Sequence, residues 1–365
     1  MLTIGVEEEL LVLDPQGRVL PVAPQVVRLA DDPRVKTELM TYQVETVSSV
    51  CTDLDQLGRE LAGLRRTVAD AAARADAMVV ASGTPPVGEP GLEMVTDSRR
   101  YRGLAGMFPD AVATGGTCAC QVHVGVEDRD LAVDVLARLR PWLPALLALG
   151  TNSPLGAGRD TGWSSSRYAR QLRWPSFVPP STWPSAAAYD AALDDMIRRG
   201  TAFDLRSVYL LARLSPRYPT IEIRVADTAL EVADAVLLAG VCRALVATLV
   251  ADARQGVPVV PVGDQALRAD LLDVAVHGDA PTLDAGSDTL HVGRLRHRIG
   301  TELTLSGDAG VVLAGLDRLA AEGTGAQRQR RLLDATVGSE GLVAALAAVT
   351  SPEATGPGTV AGATA

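Results

Sequence analysis

Lysine is nearly absent, with Lys36 the only one in 365 residues. A Walker A loop needs Gly-Lys-Ser/Thr, and Lys36 follows Val35, so any nucleotide is held by something other than a P-loop. No GxGxxG, HExxH or GxSxG occurs either. Cysteine is sparse: Cys51, Cys118, Cys120 and Cys242 form neither a CxxC pair nor a zinc-finger spacing, which argues against a disulfide framework or a structural zinc. The run Ala235 to Val250 is apolar but broken by Arg243, and it falls short of the roughly 20 residues that cross a bilayer. It reads as a buried helix, and no membrane partner is expected. The start, MLTIGVEEEL, carries three glutamates where a signal peptide has a basic segment and an apolar run, so a cytoplasmic protein is expected. Net charge is -10, which disfavours nucleic acid as a partner.

What is present is the composition of a globular protein, 47% hydrophobic and 21% charged. Met1 to Leu13 alternates, with Ile4, Val6, Leu10 and Val12 on one face and Glu7 and Glu9 on the other; Glu8 interrupts the apolar face. Leu54, Leu57, Leu61, Leu64 and Val68 recur at helical spacing behind an Asp53 N-cap. Ala77 to Ser82 reads as a short buried strand. In Thr117 to Val126, Cys118, Cys120, Val122, Val124 and Val126 oppose Thr117, Gln121 and His123, and Tyr218 to Ala226 opposes Ile221, Ile223 and Val225 to Thr220, Glu222 and Arg224. Asp130 to Gly150 and Leu230 to Ala253 read as helices. Between them, Asn152 to Pro184 is a long Gly, Ser, Pro and Trp segment whose arginines and tryptophans suggest a functional loop. Ser351 to Ala365 reads as a flexible tail behind one domain spanning 1–350.

Three strands thus carry Glu7 and Glu9, Gln121 and His123, and Glu222 and Arg224 on their polar faces. Carboxylates gathered on one sheet face repel unless something positive sits among them, and a hard divalent cation suits a set rich in Glu and poor in His. Mg²⁺ is the first candidate, with Mn²⁺ also tolerant of an imidazole. The bland alternative is that each strand has one wet face.

These residues carry a resemblance. GVEEEL (Gly5 to Leu10), TCACQVHVGV (Thr117 to Val126), NSPLGAGRDTG (Asn152 to Gly162), RLSPRYPTIEIRVAD (Arg213 to Asp227) and EGTGAQRQR (Glu322 to Arg330) resemble, in order, the carboxylate-amine ligases of the glutamate-cysteine ligase type 2 family. The resemblance implies an α+β fold of the glutamine synthetase and guanidino kinase kind, a curved, mainly antiparallel sheet flanked by helices whose concave face holds ATP and metal. It implies that the γ-phosphate of ATP passes to a carboxylic acid or amino acid and that an amine then displaces phosphate. It further implies metal ligands at Glu7, Glu9, Glu38, Glu45, His123 and Glu222, and catalytic roles for Arg224, Arg213 and Glu222. Arg159, Arg167 and Arg224 are the candidates for nucleotide phosphate. Small molecules are the expected partners, with a homodimer left open.

Glu38 and Glu45 lie seven apart, so both can face one site only if the chain breaks or bulges between them. Gln121 stands where the family pattern has its first His, Pro85 replaces a His, and the family's later Arg-Trp-rich segment is not recognisable around Leu271 to Leu283. Those departures leave two rivals to a ligase: a homologue that binds nucleotide or amino acid without turnover, and a phosphotransferase that stops at a phosphorylated product.

Overall fold

In the computed structural model, residues 1–88, 94–279 and 291–351 are described. The strands are β1 (Ile4–Leu13), β2 (Val35–Thr37), β3 (Gln43–Val47), β4 (Met78–Val80), β5 (Cys120–Gly125), β6 (Leu155–Gly156), β7 (Arg159–Asp160), β8 (Ala212–Leu214) and β9 (Thr220–Ile223). The helices are α1 (Ala23–Ala30), α2 (Leu54–Ala73), α3 (Arg99–Met107), α4 (Pro109–Val112), α5 (Arg129–Leu139), α6 (Leu143–Leu149), α7 (Ser166–Gln171), α8 (Ala186–Arg198), α9 (Val232–Arg254), α10 (Asp264–His277), α11 (His291–Ser306), α12 (Ala309–Glu322), α13 (Gly325–Ala335) and α14 (Gly338–Thr350).

The main sheet runs β2-β3-β1-β5-β9-β8, with β4 also paired to β1, and its ladders are antiparallel. β1 is central because it is the longest strand and is apolar on its back face. Its first half pairs with β5 and its last residues with β4 on the same edge. Across the back lies α2, whose start is fixed by Asp53 accepting the Gln56 N–H at 2.7 Å. Leu54, Leu57 and Leu61 of α2 join the large core with α9, while Leu64 and Val68 pack with Leu10, Val12, Val26 and Val44 in a second core. The expected helix and strand register there is met.

Among the described residues α9 is the one helix long and apolar enough to cross a bilayer, and 83% of its most apolar window is buried inside the fold. Arg243 in its middle is buried and ion-paired to Asp308 at 2.6 Å.

The break required between Glu38 and Glu45 is a change of strand. β2 ends at Thr37, the chain turns, and β3 returns antiparallel with Glu45 opposite Lys36. β9 is shorter than the expected Tyr218 to Ala226, because Tyr218 and Pro219 belong to the turn that joins it to β8. The expected tail lies, after Ser351, outside the described residues, as does most of the end of the Leu271 to Leu283 segment, from residue 280.

Candidate active site

Alternation on β1 sends Glu7 and Glu9 to the front face, and the ladders decide their company. Glu9 faces Glu45 on β3, Glu7 faces Gln121 on β5, His123 faces Glu222 on β9, and Glu222 faces Arg213 on β8. Leu11 and Leu13, in line with Glu7 and Glu9, are fully buried, so the front face is open only along the first half of β1. The resulting cleft is lined by Glu7, Glu9, Glu38, Glu45, Gln121, His123, Arg167, Arg213, Glu222 and Arg224 together.

One wall is acidic. Burial, and then the charge of Glu38, pushes the Glu9 carboxyl up to about 7, although the Ala119 N–H, Arg167 and Arg224 oppose the shift. Glu45 is raised well above the usual range, first by burial and then by Glu7, Glu38 and Glu9. Its cationic neighbour Lys36 stands 4.0 Å away. Glu38 accepts the Tyr101 hydroxyl at 2.9 Å. The imidazole of His123 meets Thr220 Oγ1 through Nδ1 at 2.9 Å, while its buried Nε2, 3.6 Å from Glu7 Oε1, has no hydrogen-bond partner.

The other wall is cationic. Glu222 is gripped by Arg213 through Nε at 2.9 Å and Nη2 at 3.0 Å, and it also accepts from Arg224. Burial alone would raise the Glu222 carboxyl, but Arg224 and Arg213 outweigh it and hold it far below the ordinary carboxylate range. Arg213 turns its Nη1 to the carbonyls of Leu205, Arg206 and Val208. As placed, it braces the turn beside the cleft. Arg167 of α7 donates to the carbonyls of Arg224 and Val225, both at 3.1 Å, and lies 3.6 Å from buried Asp227. Its buried Nε lacks a partner. Arg159 is not brought to the cleft, because β6 and β7 form a separate hairpin on which it is exposed.

The Glutamate-cysteine ligase family 2 profile matches residues 3–349. The chain belongs to that family. Among curated relatives, "Putative glutamate--cysteine ligase 2" of Salinispora arenicola (strain CNS-205) is 40% identical over 349 residues, covering 91% of this chain and 90% of the relative. "Putative glutamate--cysteine ligase 2-1" of Saccharopolyspora erythraea is 42% identical over 339 residues, with the same two coverages of 91% and 90%. Two solved structures share the fold at 14% identity. The glutamate–cysteine ligase of Francisella tularensis in complex with AMP gives a TM-score of 0.63 over 96% of this chain and 88% of that one. The bifunctional glutathione synthetase of Pasteurella multocida gives 0.66 over 94% of this chain, which spans 51% of that longer protein.

In this member of glutamate-cysteine ligase family 2, the acidic wall suits a hard divalent cation on the chemistry of its donors. Buried carboxylates with raised proton affinity, and an imidazole nitrogen with no other partner, are groups that a cation would satisfy. Among the described residues no three of them already converge as a ligand cluster. Glu222 fits such a role less well, since both its oxygens are taken by guanidinium groups. Sequence reasoning missed Tyr101, Arg206, Tyr209 and Arg217, which also line the cleft. Arg217 and Tyr218 lie inside the RLSPRYPTIEIRVAD run, which is a usable signal; Tyr101 and Arg206 come from segments with no polar-face pattern. Trp174 does line the cleft, packed edge-on to Tyr209 at 4.9 Å, and Trp163 does not.

Proposed function

We propose that this protein is an ATP-dependent carboxylate-amine ligase whose one catalytic domain spans 1–350. The observation that carries the reading is the pairing, within one cleft, of an acidic wall suited to a cation and an arginine held beside it by Glu222. Glu7, Glu9, Glu38, Glu45 and His123 would hold Mg²⁺. When bound, that cation neutralises phosphate oxygens and polarises the γ-phosphoryl group. Arg224 takes up charge on the phosphoryl oxygens as they pass to the substrate carboxylate; Glu222 and Gln121 fix where its guanidinium points. The amine then attacks the acyl carbon and phosphate leaves. Arg167, in the cleft lining, secures the backbone of residues 224 and 225.

Glutamate and cysteine, the substrates in the relatives' names, are the first acid and amine to test. Purified protein with ATP and Mg²⁺ is to be screened for phosphate release against panels of amino acids and amines. Release that needs both an acid and an amine supports the ligase. Release with the acid alone turns the reading to a phosphotransferase, and saturable nucleotide binding without release turns it to a binding protein.

A further inference from the structure

Gln121 joins the two walls. Its Nε2 donates to Glu9 Oε1 at 2.8 Å, and its Oε1 accepts from Arg224 Nη1. The side chain is 3% exposed, so neither bond is replaced by bulk water when lost. The chemistry of the ends dictates the residue type: a carboxylate on one side needs a donor, a guanidinium on the other needs an acceptor, and an amide supplies both within one rigid plane. The reverse amide orientation would set two acceptors against each other at Glu9 and two donors at Arg224.

Arg224 has a second anchor in Glu222, and that anchor alone draws the guanidinium toward β9 and β8. Gln121 pulls it the other way, toward the acidic wall. We propose that Gln121 is a positioning residue, which sets Arg224 and Glu9 relative to each other so that a phosphoryl group bound on the acidic wall lies within reach of the guanidinium. This rests on the ligase reading for its chemistry, but the coupling itself is a property of the three side chains.

The test is a double-mutant cycle. Gln121→Met keeps length and removes both hydrogen bonds, and Arg224→Met removes the donor that Gln121 Oε1 accepts from. Expected is a kcat roughly tenfold lower for Gln121→Met with KM for ATP changed less than threefold, beside a lower thermal midpoint from the two hydrogen bonds that water does not replace. Expected also is a double variant within about twofold of Arg224→Met, because the lost interaction is already gone. Gln121→His, whose neutral ring offers one donor and one acceptor, should recover most of kcat. Additive losses, or a fully active Gln121→Met, overturn the proposal. If the wild type shows no turnover, the ligase reading has failed separately; the same cycle is then read in Kd for Mg²⁺-ATP, where additivity again overturns the coupling and non-additivity upholds it.

Discussion

Glu8 and its neighbours Glu7 and Glu9 are consecutive on one strand and meet opposite fates. Glu8 points to the back and is completely buried against Arg65, whose Nε and Nη2 reach its two oxygens at 3.1 and 2.6 Å. Arg65 also donates to the carbonyls of Ala229, Leu230 and Thr350, so this charge pair sits among satisfied groups. Glu7 and Glu9, one residue to either side, face Glu45 and Glu38 across a cleft with Lys36 at its edge. A buried acid with its own cation ties the fold together. Acids crowded in a cleft without a close cation bonded to each leave an attraction for a cation from outside, and the contrast locates the site more sharply than any single residue.

Removing Arg65 breaks the contrast most forcefully. Arg65→Met leaves Glu8 charged and unpaired in the interior, and it also leaves three carbonyls short of a donor. Loss of one partner from a buried pair costs about 3–5 kcal/mol. Urea unfolding should show that loss, with kcat per folded molecule unchanged.

On the front face the largest effect belongs to Arg224. Arg224→Lys keeps the positive charge but loses the rigid, planar guanidinium whose Nη1 serves Glu222 and Gln121 together. Transition-state charge is then met by a less fixed donor, and kcat should fall about a hundredfold, in keeping with the ~3 kcal/mol lost with one preorganised donor. Affinity for ATP should change little. Equal losses in kcat and affinity would mean that Arg224 serves only the ground state.

A smaller effect separates the walls by pH. The folded Glu9 carboxyl titrates near 7 against an ordinary 4.5, raised by burial and by Glu38. The folded state therefore binds the extra proton between those values, and this group's contribution to stability is present below pH 4.5 and is lost as pH rises through 7. Mg²⁺ competes with that proton, so it should stabilise the protein little at pH 5 and by about 2.7 kcal/mol at pH 8 when present at a hundred times its Kd. Glu45→Gln should raise the thermal midpoint of the metal-free protein at pH 8 and abolish the gain from Mg²⁺. An equal gain at both pH values would separate the acidic wall from cation binding.

The front face was legible because β-structure writes its two sides as alternate residues. Glu7 and Glu9, Gln121 and His123, and Glu222 and Arg224 each sit two apart, and the sheet aligns them. The back-face partner was less visible, although Arg65 falls four residues after Leu61 and three before Val68, inside the apolar stripe of α2. A charged residue in such a stripe is a signal, but only the tertiary fold says that it meets Glu8, 57 positions away. Arg159 shows the converse. An arginine in a Gly-rich segment has no periodicity to aim it, and the β6–β7 hairpin carries it away from the cleft.

The thiols sharpen the comparison at its finest scale. Cys120 lies in β5 on the back face, where burial and then Glu8 raise its pKa well above the ordinary value. Cys118, just before the strand, is equally buried, yet its Sγ is 3.5 Å from Nε2 of Gln43, a residue lining the cleft. Burial, and then Glu9, raises this thiol too. Both are held as thiols, so neither is a ready nucleophile. Cys120→Ala should cost about 1 kcal/mol of stability, as expected for a small buried side chain, and leave kcat as it was. Cys118→Ala should cost a similar amount, and because Gln43 also donates to the Thr117 carbonyl at 3.0 Å, the cleft wall keeps its main tie and kcat should fall less than twofold. Unfolding curves and rates on the two variants decide the matter. A rate loss in Cys120→Ala larger than in Cys118→Ala would mean that the back face, and not only the front, takes part in the reaction.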